Sequence, residues 1–382
     1  MSLITNPHKR TKLSSSSTAT TFPISTKTIA THNGTFQADE ALGVWLLRQT
    51  STYFQSKVIR TRNEDVYSQA DIVIDVGGVY NHEMKRYDHH QRDYDERFED
   101  KVELVVEMNN DHEEGKKQIV QRNIPRITKL SASGLVYRHY GREVIQNIYP
   151  TLSTKDLDLV YTKMYNGFME AIDAIDTGVE PLPKGCGIEL QYKDSTGLSA
   201  RVSRLNPRWN DDDDVIPDER FEVASNLCGD DFMSVLSSIV ESTLPARGFV
   251  EQAVLNRFNI DPSGQIVKFE SGGLPWKGHL YDLEKEHGII DDKDLIKFVL
   301  YTDQSGMWRI QAVTVEGQAF ENRLSLPEKW RGVRDADLEK IAGIEGCTFC
   351  HAAGFIGGNK SFEGVLQMAR VALQQGGDVE MN

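Results

Sequence analysis

The chain has 382 residues, 39% hydrophobic and 26% charged, which predicts two domains of ordinary globular composition that need no disulfide or metal staples. The 43 Lys and Arg stand against 57 Asp and Glu, a net charge of −14. That sets aside non-specific coating of a nucleic-acid duplex but leaves phosphate chemistry open where a metal supplies the positive charge. The longest strictly apolar run, Ala41 to Leu47 with Gly43 inside it, falls far short of a bilayer span, which sets aside an integral membrane protein. Four cysteines and no secretory apolar segment point to a reducing compartment.

The first 38 residues contain no Asp or Glu and carry Lys9, Arg10, Lys12, Lys27 and the hydroxyl-rich run Ser14 to Thr21. That is the composition of a disordered tail or of a mitochondrial transit peptide, with His8 to Lys12 as a weak nuclear signal. Helical periodicity marks Asp39 to Gln49, and Lys57 to Thr61 is expected to be a short strand. Asp71 to Asp75 is a buried-strand run ended by Gly77-Gly78. Glu96 to Lys117 is acidic and is expected to be a solvated insertion. A helix from Ser131 to Tyr140 is capped by Ser131 or Ser133 and stopped by Gly141, and a longer one runs from Asp156 to Ile175. Asp211 to Asp214 form a low-complexity spot, and Glu219 to Arg257 is helical. Strands follow at Gln265 to Phe269, Lys297 to Thr302 and Trp308 to Val315, the last two joined by a turn at Asp303 to Gly306, before a final helix from Ser361 to Leu373. The expected fold is α/β: an N-terminal, mainly parallel sheet flanked by helices, then a smaller C-terminal α+β domain. The boundaries are a tail at 1–28, a first domain at 29–195, connecting helices at 196–257 and a second domain at 258–382.

Four pieces of the first half place Asp or His at strand ends or in connecting loops, where α/β sheets assemble their sites. They are Thr31 to Glu40, Asp75 to Gly78, Tyr87-Asp88-His89-His90-Gln91, and Asp173-Ala174-Ile175-Asp176. Imidazole with carboxylate suits Mn²⁺ or Mg²⁺, and two cations about 4 Å apart can hold both the attacking and the leaving oxygens of a phosphate ester. Singly, each piece has an ordinary explanation. His32 could be a loop histidine and Asp39-Glu40 first-turn acids on a helix dipole. Asp75 could cap a turn, and Asp173 and Asp176 could be surface acids one helical turn apart. The four in order, with paired histidines after an Asp, point to a metal site.

The ordered set resembles the DHH phosphoesterase superfamily, whose Asp-His-His is here Asp88-His89-His90. It resembles more closely the melanocyte-proliferating-gene exonuclease family. Thr31 to Phe36, Tyr87 to Arg92, Ser133 to Gly141 and Asp173 to Gly178 carry that likeness, with Arg201 to Asn210, Trp330 to Arg334 and His351 to Gly358 in the second half. The resemblance spans about residues 29 to 375. It implies a two-domain phosphodiesterase with a divalent metal pair, usually Mn²⁺, and 3′-to-5′ exonuclease activity on single-stranded RNA or short oligonucleotides, in mitochondrion or nucleus. By the family's motifs, His32, Asp39 and His89 are metal ligands, Asp75 bridges the metals, and the last ligand is Asp176 or Asp173, with Asp176 favoured because it follows the apolar run directly. His90, with Asp88 in the same motif, is assigned to catalysis through the scissile phosphate or its leaving oxygen, following hydroxide attack on phosphorus at the metal site.

Gln37 departs from the family, which carries His there, and so points to one metal position that is loosened, selective for a different ion, or empty. For substrate contacts the resemblance offers Arg201, Arg204, Arg331, His351 and Gly354; arginine pairs bidentately with phosphate. Cys347 to His351 has a haem-attachment spacing but overlaps the better-explained His351 stretch. The alternative readings are a hydrolase of small phosphorylated compounds, and an RNA-binding member weakened catalytically at Gln37.

Overall fold

The computed structural model describes residues 26–98, 102–107, 117–122, 126–182, 185–188, 191–211, 216–270 and 272–379. The tail before Thr26 and most of the Asp211 to Asp214 run lie outside them. The chain divides into two compact units, Met1–Ser237 and Ser238–Asn382.

In the first unit β1 (Thr28–Thr31), α1 (Ala38–Arg48), β2 (Lys57–Arg60), α2 (Glu64–Tyr67), β3 (Ile72–Ile74), β4 (Tyr80–Asn81) and β5 (Arg86–Tyr87) build one sheet and its first cover. The strand order is β2-β1-β3-β5-β4. β1 runs parallel to β2 and β3, β3 is parallel to β5, and only β4 is antiparallel. Ile29, Ala30, Ile72, Val73 and Ile74 are all buried, the continuous apolar pattern of strands covered on both faces. The apolar run of α1 has the same cause: Ala38 to Val44, Leu46 and Leu47 are buried, as in a helix enclosed all round.

The acidic segment forms a separate two-stranded antiparallel ribbon, β6 (Val102–Glu107) with β7 (Lys117–Arg122), which joins neither larger sheet. Next come α3 (Ala132–Ile148), α4 (Thr154–Met164), a π-helical turn at Tyr165–Met169, α5 (Glu170–Asp176), α6 (Leu198–Ser203) and α7 (Pro217–Ser237). Ser131 caps α3 by accepting from the Gly134 N–H. The expected stop at Gly141 does not occur; α3 continues through it for two further turns. A Cβ there would lie 2.8 Å from the Tyr137 ring and 3.0 Å from Tyr161, two rings stacked 4.8 Å apart. Glycine serves close packing of α3 on α4 here and does not end the helix.

The second unit contains α8 (Leu244–Leu255), α9 (Arg257–Ile260), β8 (Ile266–Lys268), α10 (Lys277–Glu286), β9 (Phe298–Thr302), β10 (Trp308–Ala312), α11 (Asp335–Ala342), β11 (Cys347–Cys350), β12 (Ile356–Asn359) and α12 (Phe362–Val379). Its sheet runs β11-β12-β10-β9-β8. Side chains alternate across it. Ile266, Phe298, Leu300 and Ile310 share one core with Val365, Met368 and Ala369 of α12. Val267 and Val299 pack the other face against Val250, Val254, Leu280 and Leu283. The turn between β9 and β10 closes with the Asp303 N–H donating to Met307 O. Among the described residues no helix is long and apolar enough to cross a membrane.

Candidate metal centre

Because β1, β3 and β5 are parallel neighbours, the residues following them emerge along one edge: His32 after β1, Asp75 after β3, and Asp88-His89-His90 after β5. Asp75 takes φ +53° and Gly77 φ +100°. Asp is among the few side chains that tolerate the left-handed region. Gly77 has a second constraint, since a Cβ there would lie 3.2 Å from the Tyr67 ring. Asp88 ties this turn to the histidine loop. Its Oδ2 accepts from the Gly78 N–H at 2.6 Å, and its Oδ1 accepts from the His90 N–H at 3.1 Å and from His90 Nδ1 at 2.7 Å. Burial opposes the charge of Asp88, but these donors outweigh it and lower its pKa.

Imidazoles from two loops face Asp75. His32 Nε2 is 3.3 Å from its Oδ2, while His89 Nδ1 and His90 Nδ1 are 3.8 and 3.6 Å from its Oδ1. His32 Nε2 also lies 3.1 Å from Glu40 Oε1, which accepts from the Gln37 N–H at 2.9 Å. His32 Nδ1 is 3.1 Å from Asn33 O, a bond that orients the ring and presents Nε2 to the carboxylates. At the other side of His89, Nε2 is 3.1 Å from Asp176 Oδ2. Asp39 completes this pole. It is seated on the first turn of α3, accepting from the Ser133 N–H at 2.6 Å, from the Ala132 N–H at 3.0 Å and from the Ser131 hydroxyl.

Three groups therefore bring ligand atoms within 4.8 Å of one another: Asp75 with Asp88, His89 and His90; His32 with Glu40 and Asp75; Asp39 with His89 and Asp176. Beside Asp75 opens a cavity of about 510 Å³, lined among others by His32, Thr35, Gln37, Arg62, Gly78 and His90.

Burial opposes protonation of both inner histidines, yet hydrogen bonds to Asp75 and Glu40 hold His32 near a pKa of about 10, and Asp176 and Asp39 hold His89 near about 9. Asp39 and Glu40 are pushed up, first by burial. Glu40 Oε2, Asp75 Oδ1, His89 Nδ1 and Asp176 Oδ2 are buried without hydrogen-bond partners, which ordinarily carries a substantial cost. All four belong to the groups above, and imidazole nitrogen with carboxylate oxygen is a donor set for a divalent cation. The residues fit such a group. Divalent cation at about 100 times its dissociation constant should therefore stabilise the protein by about 2.7 kcal/mol. In a unit of this size that is a rise of about 5–10 °C in the unfolding midpoint over EDTA-treated protein. Calorimetric scans with and without Mn²⁺ check this; superimposable scans would refute the fit.

Asp173 and Asp176 separate cleanly. Asp176 faces His89, whereas Asp173 is fully buried, accepts from Ser131 N–H at 3.0 Å and Tyr165 Oη at 2.9 Å, and lies 2.7 Å from Ser131 Oγ. Burial raises its pKa to about 7 against those donors. Asp173 thus anchors the Ser131 cap that holds Asp39. Sequence reasoning missed Glu40 as a site residue, because its place three positions after Gln37 in a first helical turn is that of a capping acid. It also read Ser131 and Ser133 as caps only. Arg201 pairs with Asp231 at 2.5 Å, and Arg204 donates to Ser195 O at 2.8 Å. In the second unit His351 and Gly354 share one turn, and Arg331 lies against Gly354. The Ala353 N–H donates to His351 Nδ1 at 3.1 Å, and Arg331 Nε donates to Leu326 O at 3.0 Å. A Cβ on Gly354 would lie 2.6 Å from Arg331 Nε.

No solved structure matches the chain. The family model MYG1_exonuc, described as an uncharacterised protein family (UPF0160), matches residues 28–373. The protein named MYG1 exonuclease in Mus musculus is 44% identical over 349 residues, covering 91% of this chain and 85% of its own length. Its Homo sapiens namesake is 43% identical over 348 residues, covering 91% and 86%. The MYG1 protein of Saccharomyces cerevisiae is 38% identical over 373 residues, covering 96% and 99%. The motifs at the strand ends and the match along nearly the whole chain lead to one conclusion: the chain belongs to the MYG1 exonuclease family.

Proposed function

We propose that the chain is a divalent-metal-dependent phosphodiesterase of the DHH kind that removes nucleotides from the 3′ end of single-stranded RNA or short oligonucleotides. The observation carrying this reading is Asp75, held at the shared edge of three parallel strands between His32 on one side and His89 and His90 on the other. Two of the relatives above bear the name exonuclease, which supports nucleic acid as the substrate class. His32, Glu40 and Asp75 would hold one cation and Asp39, His89 and Asp176 another, with Mn²⁺ or Mg²⁺ as the ions. What the cations supply when bound is positive charge against the phosphoryl oxygens. The chain's own residues do the rest. Asp88 engages His90 through Nδ1 and leaves Nε2 free for the leaving 3′-oxygen. Asp39 is fixed by the start of α3, and the cavity admits a terminal nucleotide.

The test is digestion of 5′-labelled single-stranded RNA with Mn²⁺ or Mg²⁺. A ladder shortening from the 3′ end and abolished by EDTA is expected. Hydrolysis confined to mono- and dinucleotides would replace the exonuclease reading with that of a small-phosphate hydrolase.

A further inference from the structure

Arg62 lines the cavity beside His32, Thr35 and His90 and makes no hydrogen bond or ion pair with any described residue. Its neighbour in the same segment behaves otherwise. The Arg60 guanidinium lies 5.4 and 4.7 Å from the Phe36 and Phe221 ring centroids and donates to Gly34 O at 2.8 Å and Asp218 Oδ1 at 3.1 Å. The backbone around Arg62 is pinned on both sides. Thr61 N–H donates to Thr31 O at 2.8 Å, locking the end of β2 next to His32, and Asn63 N–H donates to Thr61 Oγ1 at 3.1 Å while its side chain caps α2. The segment is ordered by other residues, and the one long cationic side chain it presents to the cavity is left uncommitted. Among the described residues lining this cavity Arg62 is the only Lys or Arg, and the same wall carries Asp75 and Asp88. A wall of that charge repels an anionic ligand unless fixed donors oppose it, and a guanidinium offers two parallel N–H groups matched to a pair of phosphate oxygens.

We infer that Arg62 is the phosphate anchor of this cavity, pairing its guanidinium with non-bridging oxygens of the nucleotide phosphate held beside Asp75. This rests on the phosphodiesterase reading above and names the residue that positions its substrate.

The experiment measures binding of adenosine 5′-monophosphate to Mn²⁺-loaded full-length protein by calorimetry, for wild type, Arg62→Ala and Arg62→Lys. Arg62→Ala should weaken binding about 10- to 100-fold, the usual loss for hydrogen bonds to a charged group. Arg62→Lys should recover part of it, as a point charge without the fork. Mn²⁺ affinity and the unfolding midpoint should match wild type in both, because Arg62 has no partner to lose among the described residues. For single-stranded RNA, the slope of log affinity against log salt should flatten by about 0.7 in Arg62→Ala, the share of one phosphate contact. Unchanged nucleotide affinity in Arg62→Ala, a parallel fall in Mn²⁺ affinity, or no nucleotide binding by wild type would each overturn the assignment. The two readings fail separately. Arg62-dependent nucleotide binding without RNA shortening keeps the anchor and removes the exonuclease. RNA shortening with Arg62→Ala indistinguishable from wild type does the reverse.

Discussion

Asp75→Asn should lower metal-dependent hydrolysis by about a thousandfold, the scale of losing a main electrostatic contact to the reacting group. It should also abolish the rise in unfolding midpoint on adding Mn²⁺. Asp75 belongs to the His32 group that would hold one cation and also faces His89, which belongs to the other, so its loss removes a ligand from the first position and a carboxylate beside the second. Asparagine is the informative replacement. The residue sits at φ +53°, where alanine adds backbone strain of about 1–2 kcal/mol and asparagine is tolerated. Turnover of Asp75→Asn within tenfold of wild type, with the Mn²⁺-induced shift retained, would remove Asp75 from the metal centre.

Gly134→Ala should cost about 3 kcal/mol, at the upper end of overpacking penalties, and lower the unfolding midpoint by about 6–12 °C. An added Cβ would lie 2.3 and 2.6 Å from the Asp173 carboxylate oxygens. That carboxylate cannot easily withdraw, since Ser131 and Tyr165 hold it from two sides. Because Asp173 anchors the cap that seats Asp39, Mn²⁺ affinity should fall about 10- to 100-fold as well, as for other supports one layer behind a ligand. The double variant Gly134→Ala/Asp173→Ala should be more stable than the sum of the single changes, since the second makes room for the first. Alanine raises helix propensity over glycine, so a Gly134→Ala protein as stable as wild type would mean that the close approach carries no weight.

The parallel sheet and the positions of His32, Asp75 and Asp88-His89-His90 were legible because strand runs end visibly: Asp71 to Asp75 stops at Gly77-Gly78, and carboxyl ends of such strands are where sites assemble. Residues whose letter has two uses were not legible. Gly141 looks like a stop and is a packing contact between Tyr137 and Tyr161. Glu40 looks like a first-turn acid and faces His32. Ser131 looks like a cap; it is one, and its hydroxyl also meets both Asp39 and Asp173. Asp173 and Asp176 sit three apart on one helix, and which of them faces His89 depends on rotation about the helix axis, which spacing alone does not reveal.

That rotation traces to the wide turn at Tyr165–Met169. A π-type turn takes up roughly one residue more than an α turn, so it shifts the phase of everything after it relative to everything before. The helix before it is keyed to α3 through the Tyr161 and Tyr137 rings, and the one after it through Asp173 and Ser131. With the spare residue absorbed between them, the two halves are indexed independently. Changes in the packing of α4 need not propagate into the angle at which Asp176 meets His89. The turn acts as a mechanical decoupler, separating the structural bookkeeping of the helical layer from the aim of a single carboxylate.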